Sequence, residues 1–381
     1  MKPRPQRIYL DHNASTPLHP DVSAAMMRAF SELGNPSSIH FEGRRSRDCV
    51  ESARAAVARG VESHSDRVIF TASGTEACCL GVLGLFKRQV AAGQPPRVWI
   101  DPTAHTAVMD SITGLRSEGA EVVFGRVDHG GHLDLSSLSK ASEGGLALVA
   151  VSHVNHELGS VTQVEEVLSL SRAAGAALFV DAVQSFGKLP MGSLSGADGI
   201  ALSAHKIYGP KGVGALVLGP GVDVEPIWPS GHQERGRRAG TENVVGVVGF
   251  GGACSRIIDG VLPGSEKASS LGKILLKGLV GLGARDHGVG PRLLSTVNVG
   301  FTGCKGGVLV QALDLVGISA STGSACTSGS VAPSAVLLAT GIEPEQAKEA
   351  VRFSFGEGNT EEEVHRVLNE LIPILERVRA H

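Results

Sequence analysis

Seven short runs, RVIFTAS, RVWIDP, AEVVFGRV, LALVAVSHV, AALFVDAV, GIALSAH and GALVLG, recur between residues 67 and 219, and several are apolar almost throughout. A strand of that kind has to be covered on both faces, which is the situation of a parallel sheet between helices. The intervening TEACCLGVLGLFKRQVAAG, HTAVMDSITGLRSEG and VEEVLSLSRAAG read as helices that end at glycine. This order predicts an α/β fold with a mainly parallel sheet of the seven-stranded type. After about residue 255 the texture changes. TVNVGFTG and AVRFSFG read as half-buried strands, and a last helix starts at a capping box from Thr360 to Glu363. This part is expected to form a second, smaller α+β domain.

With 381 residues, 42% of them hydrophobic, the chain is long enough for two domains. Its 38 acidic and 35 basic residues leave a net charge of -3, too little to hold a nucleic acid backbone, so no direct nucleic acid binding is expected. The start MKPRPQRIYLDHN has no apolar signal-peptide core, and no run approaches the roughly 20 apolar residues that span a bilayer. The expectation is no membrane contact and a cytoplasmic location. Cys49, Cys78, Cys79, Cys254, Cys304 and Cys326 fall in no CxxC pair and read as reduced thiols. The small-residue run ASTGSACTSGSVAPS, residues 320–334, reads as a mobile loop.

Ligands of open α/β sheets lie beyond the carboxyl ends of the strands. Four ends carry unusual polar residues. In TASGTEA, Gly74 and Thr75 open a helix and present N–H groups to an anion, although plain N-capping explains them equally well. His105 falls in the loop of PTAHTAV. Asp181 closes the apolar run AALFV, with Gln184 three residues on, and a carboxylate buried there calls for a cationic partner. In GIALSAHK, strand alternation sets Ser203 and His205 on one face and Lys206 on the other. No His or Cys pair has metal-ligand spacing on one element, and neither a P-loop nor a G-x-G-x-x-G turn occurs. Pyridoxal 5'-phosphate accounts for all four ends: its phosphate needs a helix N-terminus, its aldehyde a lysine amine, and its ring nitrogen an acid. Lys206 is the expected amine.

The motifs YLDHNASTP, LGNPSS, FTASGTEA, HVNHELG, VDAVQSFGKLP, SAHKIYGPKGVGAL, RRAGTENV, GSACTSGSVAPSAVL and VRFSFG span nearly the whole chain. In them the chain resembles the cysteine desulfurases of the NifS/IscS type, pyridoxal phosphate enzymes of the aspartate aminotransferase-like fold type I. The resemblance implies a large cofactor domain over 14–255 and a small domain made of 1–13 plus 256–381. It implies that Lys206 holds the cofactor covalently, Asp181 meets the ring nitrogen, Gln184 the phenolic oxygen, His105 stacks on the ring and Asn155 sits beside it. Gly74, Thr75, Ser203 and His205 would hold the phosphate, joined by Thr241 from the neighbouring subunit of a homodimer. Arg352, with Asn13, would bind the substrate carboxylate. The residues agree about Arg352, because 351, 353 and 355 are apolar and would leave it on an open strand face.

The implied reaction converts L-cysteine to L-alanine, with Lys206 taking the Cα proton, Cys326 taking the sulfur as a persulfide and His105 as a proton shuttle. The sulfur then passes to an acceptor or scaffold protein of iron–sulfur cluster assembly, tRNA thiolation or DNA phosphorothioation. A selenocysteine lyase, or another fold-type I lyase or aminotransferase, is the alternative. Cys326 sits amid small residues, and the competing thiol is Cys304, flanked by glycine and Lys305. Two positions depart from the family pattern: Cys78 and Cys79 follow GTEA where asparagine is usual, and His156 stands where a second asparagine is common.

Overall fold

The computed structural model describes residues 7–228, 230–257, 260–323 and 332–379. After a two-residue β1 (Ile8–Tyr9), the seven apolar runs become β2 (Val68–Thr71), β3 (Arg97–Ile100), β4 (Glu121–Phe124), β5 (Leu148–Ser152), β6 (Ala177–Asp181), β7 (Gly199–Ser203) and β8 (Gly214–Leu218). They form one sheet in the order β2-β8-β7-β6-β5-β3-β4. Every neighbouring pair is parallel except those made by β8, which runs against both β2 and β7. The chain is therefore α/β with a mostly parallel central sheet, as its pattern predicts.

Apart from the edge strand β4, the strands are almost wholly apolar because each face of the sheet has its own helical layer. Ile69, Ala150, Phe179 and Leu216 pack with helices Gly74–Ala91 and Thr106–Ser117. Phe70, Val149, Leu178 and Val217 point the other way, into a core shared with helices Phe41–Gly60, Val164–Ala173 and Val244–Cys254. Each large side chain buried in this way contributes roughly 1.5–3 kcal/mol.

A third core gathers Ile8, Leu10, Leu275, Val299, Phe353 and Leu371. Around it lie β9 (Arg285–Asp286), β10 (Thr296–Gly300), β11 (Ile318–Ser319) and β12 (Ala350–Ser354). Strand β10 pairs antiparallel with β9 and β12, while β1 pairs parallel with β11, so residues 8–10 pack with the C-terminal part of the chain. Strands β10 and β12 are not half-buried as expected: every residue of both is buried. One face meets the apolar core, and the other is covered by a polar layer in which Asn13 and the 155–158 segment bond to Thr296, Asn298, Arg352 and Ser354. The capping box of the last helix, Glu361–Arg379, is formed as predicted, with Glu363 N–H donating to Thr360 Oγ1 at 3.3 Å and Thr360 N–H to Glu363 Oε2 at 3.2 Å. Among the described residues no helix is long and apolar enough to cross a membrane.

Candidate active site

Beyond the carboxyl ends of β2, β5, β6 and β7 lies a cavity of about 260 Å³. Its wall brings together Gly74, Thr75, His105, Asp181, Gln184, Ser203, His205 and Lys206, eight residues singled out from sequence. One side is the start of helix Gly74–Ala91. Ser73 Oγ accepts the Glu76 N–H at 3.1 Å, and Glu76 reaches back to the Ala72 N–H at 2.6 Å and sideways to Arg238 at 2.8 Å. This cap accounts for the Glu76 donor, while the first N–H groups of a helix otherwise have no intrahelical partner. A side chain at Gly74 would put its Cβ 2.9 Å from Ser203 Cβ, so glycine is what lets the helix start approach the end of β7.

Lys206 is not on the opposite face from Ser203 and His205. The strand ends at Ser203, and Ala204–Lys206 form a 3₁₀ turn whose rotation brings all three side chains to the same cavity. The Lys206 amine donates to the carbonyls of Asn13 and, at 2.9 Å, Ala14. Enclosure of the amine, then the charge of Arg352, brings its pKa down to about 8 against the pull of Asp11 and Asp181. Asp181 moves the other way: burial raises its carboxyl, partly offset by the Val183 N–H that donates to Oδ1 at 2.9 Å. Among the described residues Oδ2 has no hydrogen-bond partner.

His105 is the N-cap of helix Thr106–Ser117, and its Nδ1 accepts the Ala107 N–H at 3.1 Å. This bond assigns the proton of the neutral ring to Nε2. Desolvation where the ring meets the cavity lowers its pKa, and neighbouring Asp181 opposes that shift. The ring of His156 stands edge-on to it, 5.1 Å between centroids. Desolvation and the charge of Lys206 bring His205 down to about 4, so it stands neutral at physiological pH.

Arg352 is only 6% exposed and does not lie on an open face. It donates to Asp11 Oδ1 at 2.8 Å and to the His156 carbonyl at 3.1 Å, and its Nε has no partner. Asn13 shares that carbonyl at 3.2 Å. Asn155 does not reach the cavity wall: its Oδ1 accepts the Glu157 and Leu158 N–H groups at 2.9 Å each, and its Nδ2 donates to the Thr103 carbonyl at 3.1 Å. Its Oδ1 thus holds the 155–158 turn, and its Nδ2 ties that turn to the loop after β3. Thr241 is exposed and outside the cavity of its own chain. Cys326 lies outside the described residues, whereas its competitor Cys304 is wholly buried in the third core.

Ser152, Cys78 and His156 also line the cavity. Ser152 ends β5 as Ser203 ends β7, so the strand-end rule applied evenly would have found it. His156 and Cys78 carried no such signal.

No ligand is needed to see that the residues suit pyridoxal phosphate. Ser152 Oγ and Ser203 Oγ are buried without a hydrogen-bond partner, which is rare unless something else is to bind there. A helix start flanked by hydroxyls fits a phosphate, an amine near neutrality fits an aldehyde, and a buried carboxylate with a free oxygen fits a ring N–H. Among the described residues no three His, Cys, Asp or Glu side chains gather to hold a metal ion.

The profile of class-V aminotransferases matches residues 8–367. Cysteine desulfurase 2 of Trichormus variabilis is 39% identical over 380 residues, covering 98% of this chain and 94% of that protein. The cysteine desulfurase NifS of Azotobacter vinelandii is 37% identical over 381 residues, covering 98% and 93%. Among solved structures, a NifS-like protein superposes with a TM-score of 0.87 at 31% identity, covering 97% of this chain and 100% of its own. The chain belongs to the class-V aminotransferase family, pyridoxal phosphate enzymes, and within it to the cysteine desulfurases.

Proposed function

We propose that this chain removes the sulfur of L-cysteine, leaves L-alanine, and carries the sulfur as a persulfide on Cys326 to an acceptor protein. The observation that carries the reading is the single cavity that joins an amine, a buried carboxylate and a helix-start cradle in a chain related along its length to cysteine desulfurases. When bound, pyridoxal phosphate supplies a ring that absorbs charge from the substrate Cα. Gly74, Thr75, Ser203 and His205 would hold its phosphate, Asp181 its ring nitrogen and Gln184 its phenolic oxygen. The Lys206 amine would hold its aldehyde and is the base placed to take the substrate Cα proton. The guanidinium of Arg352, held by Asp11 and not itself lining the cavity, would bind the substrate carboxylate with Asn13 beside it. For His105 to take up a proton, Nδ1 must let go of the Ala107 N–H, so its proton transfer is tied to the first turn of that helix.

A second copy of the chain belongs in this reading. Met27, Phe30, Leu33, Ile39 and Phe41 are 67, 66, 90, 86 and 58% exposed, an apolar band that association would cover, and Thr241 is free to reach the partner's phosphate site. The acceptor belongs to iron–sulfur cluster assembly, tRNA thiolation or DNA phosphorothioation, and the location is cytoplasmic.

The test is to measure alanine and sulfide from L-cysteine in wild type and in Cys326→Ser. The variant should bind cofactor and substrate normally yet release alanine only at background, because a serine hydroxyl does not attack the substrate sulfur. Near-normal alanine from Cys326→Ser, beside a dead Cys304→Ser, would move the persulfide to the buried thiol.

A further inference from the structure

A second lysine borders the site and has no part in the chemistry above. Lys188 lies one turn beyond Gln184. Its Nζ donates to Gln184 Oε1 at 3.0 Å and to Asn13 Oδ1 at 3.2 Å. The amine is enclosed although the residue as a whole is partly exposed: it lines a cavity of about 20 Å³ shared with Lys206, His12 and Tyr208, roughly the room of one water, and its stem lines an open surface cleft. Burial, followed by the charges of Lys206 and Arg352, brings it down to about 7. Among the described residues no carboxylate pairs with it, so it is not one half of a structural ion pair.

An ammonium only donates, and an amide can stand either way round with little difference in shape. With both side-chain oxygens turned to Lys188, the NH₂ groups point away from it. Gln184, which lines the cavity, then donates through Nε2 to the Asn13 carbonyl at 2.9 Å, and Asn13 Nδ2 donates to Thr296 Oγ1 at 2.8 Å and to the His156 carbonyl. That Asn13 carbonyl is also the one that receives the Lys206 amine.

We propose that Lys188 is a positioning residue of this site, whose amine sets which way round the Gln184 and Asn13 amides stand, so that Gln184 offers N–H rather than C=O to the cavity. The proposal rests on reading the cavity as a pyridoxal phosphate site. An N–H there suits an anionic oxygen of the cofactor, and a C=O would repel it.

The experiment titrates pyridoxal phosphate into the apoproteins of wild type, Lys188→Met and Lys188→Arg, reading the dissociation constant and the visible absorption maximum. Lys188→Met should shift the maximum and weaken binding about tenfold, the size of one hydrogen bond. Lys188→Arg, also a pure donor, should restore the maximum. In a Gln184→Leu background, Lys188→Met should add no further shift. A wild-type band that Lys188→Met leaves in place, equal shifts in the Met and Arg variants, or an added shift in the Gln184→Leu background would each overturn the role of Lys188 while leaving the cofactor reading intact. Absence of any band in wild type would overturn the cofactor reading and this role together.

Discussion

At the amino ends of the large sheet, Arg97 Nε bonds Glu121 at 2.8 Å, and Asp198 accepts Arg172 at 2.7 and 3.1 Å together with the Leu178 N–H at 2.7 Å. At the carboxyl ends, Ser152 Oγ and Ser203 Oγ have no partner, Asp181 holds a single backbone N–H, and the Lys206 amine rests on two carbonyls rather than a carboxylate. The residue types are alike and the fold around them is one sheet. The difference is satisfaction: matched polar groups lock strand positions, and unmatched ones are kept for a ligand at some expense in stability.

The largest effect should come from Lys206→Ala, which removes the borohydride-reducible visible band and drops alanine release to background. Since the amine sits near 8 and only its neutral form attacks an aldehyde, cofactor uptake by the wild-type apoprotein should climb as pH rises through about 8. Uptake still climbing at pH about 10, the range of a free lysine, would mean that the enclosure does not act on this amine. Next, Asp181→Asn should keep the melting temperature and lose activity on the order of 10²- to 10³-fold, as expected when a charge placed for the reacting centre is removed. A variant as active as wild type would break the comparison at its carboxyl end.

The amino end should behave in reverse. Asp198→Asn leaves a half-exposed guanidinium short of its partner and should cost about 1–3 kcal/mol of stability in denaturant titration, with turnover per folded molecule unchanged. Reduced turnover at full stability would show that both ends serve the site. Arg97→Gln, whose partner Glu121 is exposed, should change stability by under about 1 kcal/mol.

The sheet was legible because both-sided burial writes itself into consecutive residues: Leu148–Ser152 and Ala177–Asp181 could hardly be anything else. The strand-end residues were legible for the same reason, as polar exceptions after apolar runs. Where local alternation was extended past a strand end or onto a lone strand, it misled. Lys206 faces the cavity through a 3₁₀ turn that a period of two does not describe. Arg352 is covered by Asp11 and the His156 carbonyl, which lie far away in the chain. Lys188 gave no signal at all, since its meaning lies in which amide oxygens it touches.

The reversed β8 also orders events in time. Because β8 stands between β2 and β7, the edge of β2 has no strand to pair with until residues 214–218 have been synthesised and have folded back as a hairpin on β7. Strand β8 thereby ties the helix start at Gly74 to the end of β7 at Ser203. A chain that ends before residue 214 therefore lacks the strand that joins β2 to β7, and with it the enclosure that lowers the Lys206 amine.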